Sequence, residues 1–400
     1  MKKYTFYILL LLLFNSCIEE ISLQNFESTN LLIVESELTD ELKQQTVKLS
    51  RTIPLDSINQ KKESAAIVSV NDNLGNSFNF SEFKPGVYKS NTAFKAKTAN
   101  SYTLNIQTSN GEIYQSTPQK IVGKNDISDL YAIADEDTFG DVGVRIIVES
   151  NNENTKAKYY KYTYEEAYVV KAPYWSTDSI EIVSYGLRTF KTIPKKKYGI
   201  NRRICYNSSV SNSILQAETN SISSNSIKYP IRFISQKNPI IWHRYSMLAI
   251  QHTQSYEAYT YYQTLDKLST NENVFSQVQT GYLQGNVFPT DNADNPVIGF
   301  FEVNSVSKKR FFFNFSDIFP KHDINFQGDC QKLLEQPPII DPLSTPKEPL
   351  ESPLIAAITY RRLVFAKESG EPKAPYFVVP INCTYCRYAA SSVKPNFWID

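Results

Sequence analysis

The stretch YYKYTYEEAYVV, Tyr159 to Val170, decides the fold class. In an extended chain Tyr160, Tyr162 and Tyr164 fall on one face and Lys161, Thr163 and Glu165 on the other, the period-two alternation of an antiparallel strand with one buried face. Glu165 and Glu166 are neighbours, so a strand sends them to opposite faces. One is expected in solvent and the other beside a basic group, which disqualifies them as a catalytic pair.

The same grammar extends toward the N-terminus. Leu31 to Leu38 (LLIVESEL), Thr46 to Ile53 (TVKLSRTI), Ala66 to Asp72, Phe78 to Phe83, Gly86 to Lys89, Tyr102 to Gln107 and Tyr114 to Pro118 alternate or run apolar. Asn73-Leu74-Gly75-Asn76 and Ser109-Asn110-Gly111 supply tight turns between them. Short strands at hairpin spacing predict an immunoglobulin-like β-sandwich over 31–122. A polar joint, Val122 to Ile127, leads into a larger β-rich domain, 123–400, with long loop insertions. Its strands are expected at Val142 to Ser150, Tyr159 to Val170, Tyr229 to Ile234, Ile355 to Ala366 and Tyr376 to Val379. Pro173 to Arg203 reads as a long connection and Asn220 to Ser226 as a polar loop. One short helix is expected over Tyr256 to Leu268, capped by Ser255. Six prolines between Pro337 and Pro353 exclude a central strand there. The expected class is all-β.

Composition excludes several functions. Lys and Arg total 42 against 41 Asp and Glu, so no excess positive charge is available to grip nucleic-acid phosphates. With 41% hydrophobic residues, 23 Phe and 26 Tyr, the chain can bury a core.

Residues 1–16 read as a secretion signal: Lys2 and Lys3, an apolar run from Tyr7 to Phe14, then Asn15-Ser16 before Cys17. That run is shorter than the roughly 20 residues needed to span a bilayer. A small residue directly before a cysteine resembles the bacterial lipoprotein signal, which makes Cys17 the acylated first residue of a tether, 17–30. Acyl chains anchor a folded domain at roughly 0.8 kcal/mol per buried CH₂. Asp does not follow Cys17, which favours the outer membrane, and Glu19-Glu20 resembles an acidic surface-export tag. The remaining cysteines, Cys205, Cys330, Cys383 and Cys386, are expected as two disulfides in such a compartment, with three connectivities open.

Enzyme signatures are weak. His243, His252 and His322 are the only histidines, and no HExxH, Gly-x-Ser-x-Gly elbow, Walker loop or dinucleotide fingerprint occurs. No metal or cofactor is expected. Asp135, Asp137 and Asp141 in ADEDTFGD read as a solvated acidic joint more readily than as a calcium loop. Lys191, Lys195, Lys196, Lys197, Arg202 and Arg203 form a basic excursion. Tyr174 and Trp175, in the long connection, are the aromatics to suspect of stacking on a glycan or holding a peptide.

Several segments together resemble a lipoprotein family of Bacteroidota catalogued as domain of unknown function 4249. They are LLIVESELTDE, GVYKS at Gly86 to Ser90, SYTLNIQTSNGEIYQS at Ser101 to Ser116, the Cys205-Tyr206 pair, SYEAYTYYQTL at Ser255 to Leu265, PVIGFFEVNSVSKKR at Pro296 to Arg310, and Cys383-x-x-Cys386 followed by KPNFW at Lys394 to Trp398. Members are often encoded beside TonB-dependent receptors. The resemblance therefore implies an outer-membrane accessory or binding subunit and names no catalytic residue. The expected function is a non-enzymatic lipoprotein serving a TonB-dependent system. A surface glycan- or peptide-binding protein acting alone comes second, and a hydrolase with paired carboxylates last.

Overall fold

In the computed structural model the described residues are 30–53, 61–151, 155–182, 190–194, 203–220, 226–270, 283–290, 296–322, 330, 334–338, 353–386 and 390–400. Cys17, Glu19 and Glu20 lie outside them, as do most of the basic excursion and most of the proline-rich stretch.

The first eight strands are β1 (Leu32–Thr39), β2 (Thr46–Arg51), β3 (Lys61–Lys62), β4 (Ile67–Asp72), β5 (Ser77–Lys84), β6 (Val87–Ser90), β7 (Tyr102–Gln107) and β8 (Ile113–Ser116). Then come β9 (Ile127–Glu136), β10 (Val142–Asn151), β11 (Tyr159–Lys171), β12 (Asp178–Ile182), β13 (Phe190–Pro194), β14 (Ile204–Val210), β15 (Leu215–Glu218), β16 (Ser226–Ser235) and β17 (Arg244–Gln254). Helix α1 (Tyr256–Thr270) precedes β18 (Val287–Pro289), β19 (Val297–Asn304) and β20 (Val306–Asn314). Helices α2 (Phe315–Ile318) and α3 (Pro353–Thr359) and strands β21 (Leu363–Glu368) and β22 (Tyr376–Pro380) complete the chain. The fold is mostly β, with one helix longer than two turns among the described residues, and the Ser255 hydroxyl caps it by accepting from the Ala258 amide at 3.1 Å.

The first sheet has ten strands in the order β18-β8-β7-β4-β5-β6-β2-β1-β19, with β3 on β2. It is one continuous sheet that curls until its two ends meet at a Gln284–Ile298 bridge, enclosing Val34, Leu49, Val70, Leu104, Ile106 and Phe301. The sequence division at 122/123 misses a return of the chain: β18 and β19 belong to this sheet. β19 pairs in parallel with β1, from Leu32 opposite Val297 to Thr39 opposite Asn304. Its apolar run is buried on both sides, Phe301 and Val303 facing the first core while Phe300 packs on Tyr261 of α1 with ring centroids 5.4 Å apart. Closure depends on Gly299, which sits at φ +135 where a Cβ would fall on the Val34 carbonyl oxygen. Gly299→Ala is expected to cost at least about 3 kcal/mol, read as a lowered denaturant midpoint.

The second unit is a sandwich. Its sheets run β16-β10-β9 and β14-β11-β17-β20, with β15 on β11. Val144, Ile146 and Val148 face Tyr160, Tyr162, Tyr245 and Met247 across the core. Glu166 points into that core, where it meets Arg232 Nε at 2.9 Å and accepts from Ser209 at 2.7 Å and the Tyr245 hydroxyl at 2.7 Å. Glu165 faces out, as the alternation requires, with half its side chain in solvent. ADEDTFGD forms the β9–β10 hairpin tip instead of a joint between domains. Asp137 accepts from the Phe139 and Asp141 amides, Asp135 pairs with Arg145, and Asp141 with Lys237.

Two other expectations are revised. Part of the long connection folds as the β12–β13 hairpin. The expected strand Ile355 to Ala366 divides into α3 and β21, because Pro353 opens a helix whose Leu354 and Ala357 pack on Leu363 and Val378. Arg362, at φ 54, turns the chain between them. The cysteines pair as Cys205–Cys386 and Cys330–Cys383.

Candidate functional site

The two units meet at a buried polar junction. A single residue, Ser305, carries the chain from β19 in the first sheet to β20 in the second. Its hydroxyl donates to Asp40 at 2.7 Å, and its backbone exchanges hydrogen bonds with Thr253. Beside it Lys161 Nζ donates to Glu302 Oε1 at 2.6 Å, and His252 Nδ1 lies 2.7 Å from Glu37 Oε1. Asn304 donates to both carboxylates, at 2.7 and 3.1 Å, and Gln254 to Glu302 at 2.9 Å. Burial works to raise the Glu37 carboxyl, but the charges and hydrogen bonds of His252, Lys161 and Asn304 outweigh it and hold Glu37 well below the usual carboxylate range. Burial and then Glu302 push the Tyr262 phenol well up. Two carboxylates, a lysine and a histidine are the ingredients of acid–base chemistry, yet Glu302 is only 1% exposed. The cluster clamps the two sheets together.

The other ends of the same strands form a cleft. β11 runs ten residues on from Lys161 at the junction to Lys171, about 33 Å. There Val169 and Lys171 of β11, Ile204 and Tyr206 of β14, and Trp242, His243 and Arg244 at the start of β17 line a cavity of about 590 Å³. Asn314, Phe315, Ser316 and His322 close one side, and Trp398 and Asp400 of the C-terminal segment close another. Two of the three tryptophans and two of the three histidines thus converge on one place. The volume lies within the range of small-molecule sites, roughly 300–1,000 Å³.

The C-terminal wall is held in several ways. Ser391 bridges Tyr206 through a pair of backbone hydrogen bonds, 2.7 and 3.0 Å. Trp398 is buried on Ala167 and Val169, edge-on to Tyr206 and Phe312. The Arg310 guanidinium stacks 3.7 Å from the Phe397 ring centroid, and Arg244 Nε donates to the Ile399 carbonyl at 2.6 Å. Asp400 pairs with Lys394 at 2.6 Å.

Burial, together with the charge of Lys171 alongside, pushes His243 down to about 4. An unfolded histidine titrates near 6.5, so between those values the unfolded chain binds more protons. His243 should therefore withdraw stability as pH falls from about 6.5 to about 4, and a midpoint near 4 is expected for its imidazole signal by NMR. His243→Gln should abolish that part of the pH dependence of unfolding.

Tyr174 and Trp175 do not line this cleft. Tyr174 packs against the Cys330–Cys383 bridge with Ala366 and Val379, and its amide donates to the Cys383 carbonyl at 3.0 Å. Trp175, next to it, is half-buried. Among the described residues no group of three or more His, Cys, Asp or Glu side chains is arranged to hold a metal ion. The cleft escaped the sequence reading because its lining comes from five separated segments. The terminal KPNFW was the one signal that pointed there.

Together these features define an all-β protein of two clamped sheet units, with an aromatic and basic cleft at the end of the second. The chain belongs to the family described as Domain of unknown function (DUF4249), whose family model matches residues 18–310. That span ends inside β20, so the segments carrying Cys330, Cys383, Cys386 and Trp398 lie beyond it. No curated protein matches the chain.

Proposed function

We propose that the protein is a lipid-anchored, non-enzymatic binding subunit of the bacterial outer membrane, acting as an accessory to a TonB-dependent transport system. The anchor in this reading is Cys17, with Glu19 and Glu20 directing the chain to the surface. The observation that carries the reading is the placement of the cleft. β1 leads from the tether end of the first sheet to the junction, where Glu37 and Asp40 sit, and β11 leads on from the junction to Lys171. The strand that follows the proposed tether and the strand that lines the cleft thus belong to different units, the first sheet and the second. Among the described lining residues the one acidic side chain is Asp400, which favours binding over hydrolysis by paired carboxylates.

The test is recovery of the tagged protein from its native outer membrane in mild detergent, with mass spectrometry of everything that accompanies it. An acylated Cys17 and a stoichiometric TonB-dependent receptor are expected. An unacylated chain, or one recovered alone, overturns the accessory reading. The aromatic lining also favours a second reading, capture of a glycan or peptide by the protein alone, and recovery without a receptor points to it.

A further inference from the structure

We propose that the cleft holds a ring compound bearing a carboxylate, with its ring against Trp242 and Tyr206 and its carboxylate directed to Lys171 and His243. This rests on the binding reading of the cleft given above.

The charge balance of the lining is the argument. Among the described residues, Lys171, His243, Arg244 and His322 enter from three different parts of the fold and face a single carboxylate side chain, Asp400. Asp400 is already paired with Lys394. Arg244 is committed to the tail and the end of β20 through Ile399 O and Asn314 Oδ1. The Lys171 side chain, at the exposed rim, has no ion-pair or hydrogen-bond partner among the described residues. A carboxylate can accept charge-assisted hydrogen bonds from both groups, which a neutral ligand cannot do. Among the described residues, the charged and titratable groups that share the cleft lining with His243 are Lys171 from β11, Arg244 from β17, His322 after α2 and Asp400 from the tail, with Tyr206 of β14. A bound carboxylate raises its proton affinity again. Trp242 packs on the core and fixes its ring by donating Nε1–H to the Gln236 carbonyl at 3.2 Å, a rigid aromatic element of the cleft lining.

Such a carboxylate occurs on uronic-acid sugars and on aromatic acids, and the two sources are separable. Full-length protein in mild detergent is titrated with two pairs of probes, trigalacturonic acid with its methyl ester and indole-3-acetate with indole-3-acetamide, while the three histidine imidazole signals are followed by NMR. One acid is expected to bind about tenfold or more tightly than its neutral mate, and the acid that does so identifies the source. Its signature is movement of the His243 and His322 signals with that of His252, at the junction, left in place. Lys171→Met, a change at an exposed position, should bring the acid down to the affinity of its mate. Equal binding of acids and neutral mates overturns the carboxylate assignment and leaves the cleft a binding site. Absence of saturable binding by any probe overturns both, while recovery with a receptor decides the accessory reading separately.

Discussion

Replacing Lys161 with methionine is expected to lower the unfolding free energy by about 3–5 kcal/mol, the cost of leaving buried carboxylates without their cation. Lys161 lies between Glu302 at 2.6 Å and Glu37 at 3.9 Å, with its ammonium 4.7 Å from the Tyr262 ring centroid. Burial alone disfavours its charge, and the two carboxylates more than reverse this, so its pKa is raised. Without the ammonium, Glu302 keeps hydrogen bonds from Gln254 and Asn304 but no counter-ion in contact. A double variant, Lys161→Met with Glu302→Gln, removes one of the stranded charges and should recover part of the loss. Guanidinium unfolding of the single and double variants measures both. A loss under about 1 kcal/mol from the single change would show that water screens the junction. The sign of the pH effect follows from Glu37, whose folded pKa is depressed. Its contribution is fully present above the unfolded value of about 4.3 and drains away as pH falls below it toward the folded value. Glu37→Gln should flatten unfolding against pH in that acid window.

The second large effect concerns the Cys205–Cys386 bridge. Its sequence separation of 181 residues corresponds to about 5 kcal/mol in the chain-entropy limit, and measured losses for native bridges are typically about 2–5 kcal/mol. Changing both cysteines to serine should cost an amount in that range. It should also release the wall of the cleft, because this bridge holds Ser391 on Tyr206 and presents Trp398 to the sheet. Limited chymotrypsin digestion reads the second consequence: the bond after Trp398 should be cut in the variant long before the β11–β17 core is. Cys205 is fully buried and Cys386 nearly so, at 0% and 2% exposed. In the native protein the bridge should therefore resist reductant until denaturant opens the fold. Rapid reduction under native conditions would contradict this placement.

Strand periodicity was legible because it is a local property. The alternation of Tyr160, Tyr162 and Tyr164 against Lys161, Thr163 and Glu165 needs only the geometry of one strand, and the burial of Glu166 beside Arg232 follows from the same period. The cap at Ser255 is equally local. Pro353 was read as a breaker although proline also opens helices, which hid α3. The run VIGFFEVN was visible as apolar, but nothing local says that it pairs with β1 some 260 residues earlier, and so the return of the chain to the first sheet was missed.

The sequence by itself determined the all-β class, the main strands and the helix behind Ser255, since each depends on residues within a few positions of one another. Only the tertiary structure decided the pairing of the four cysteines, the clamp of Glu37, Lys161, His252 and Glu302, and the cleft. Those arise where segments distant in the chain are brought together, the clamp at one end of β11 and β17 and the cleft at the other. Which side chains share each end is set by sheet order and register, and these are fixed by the burial of the whole core.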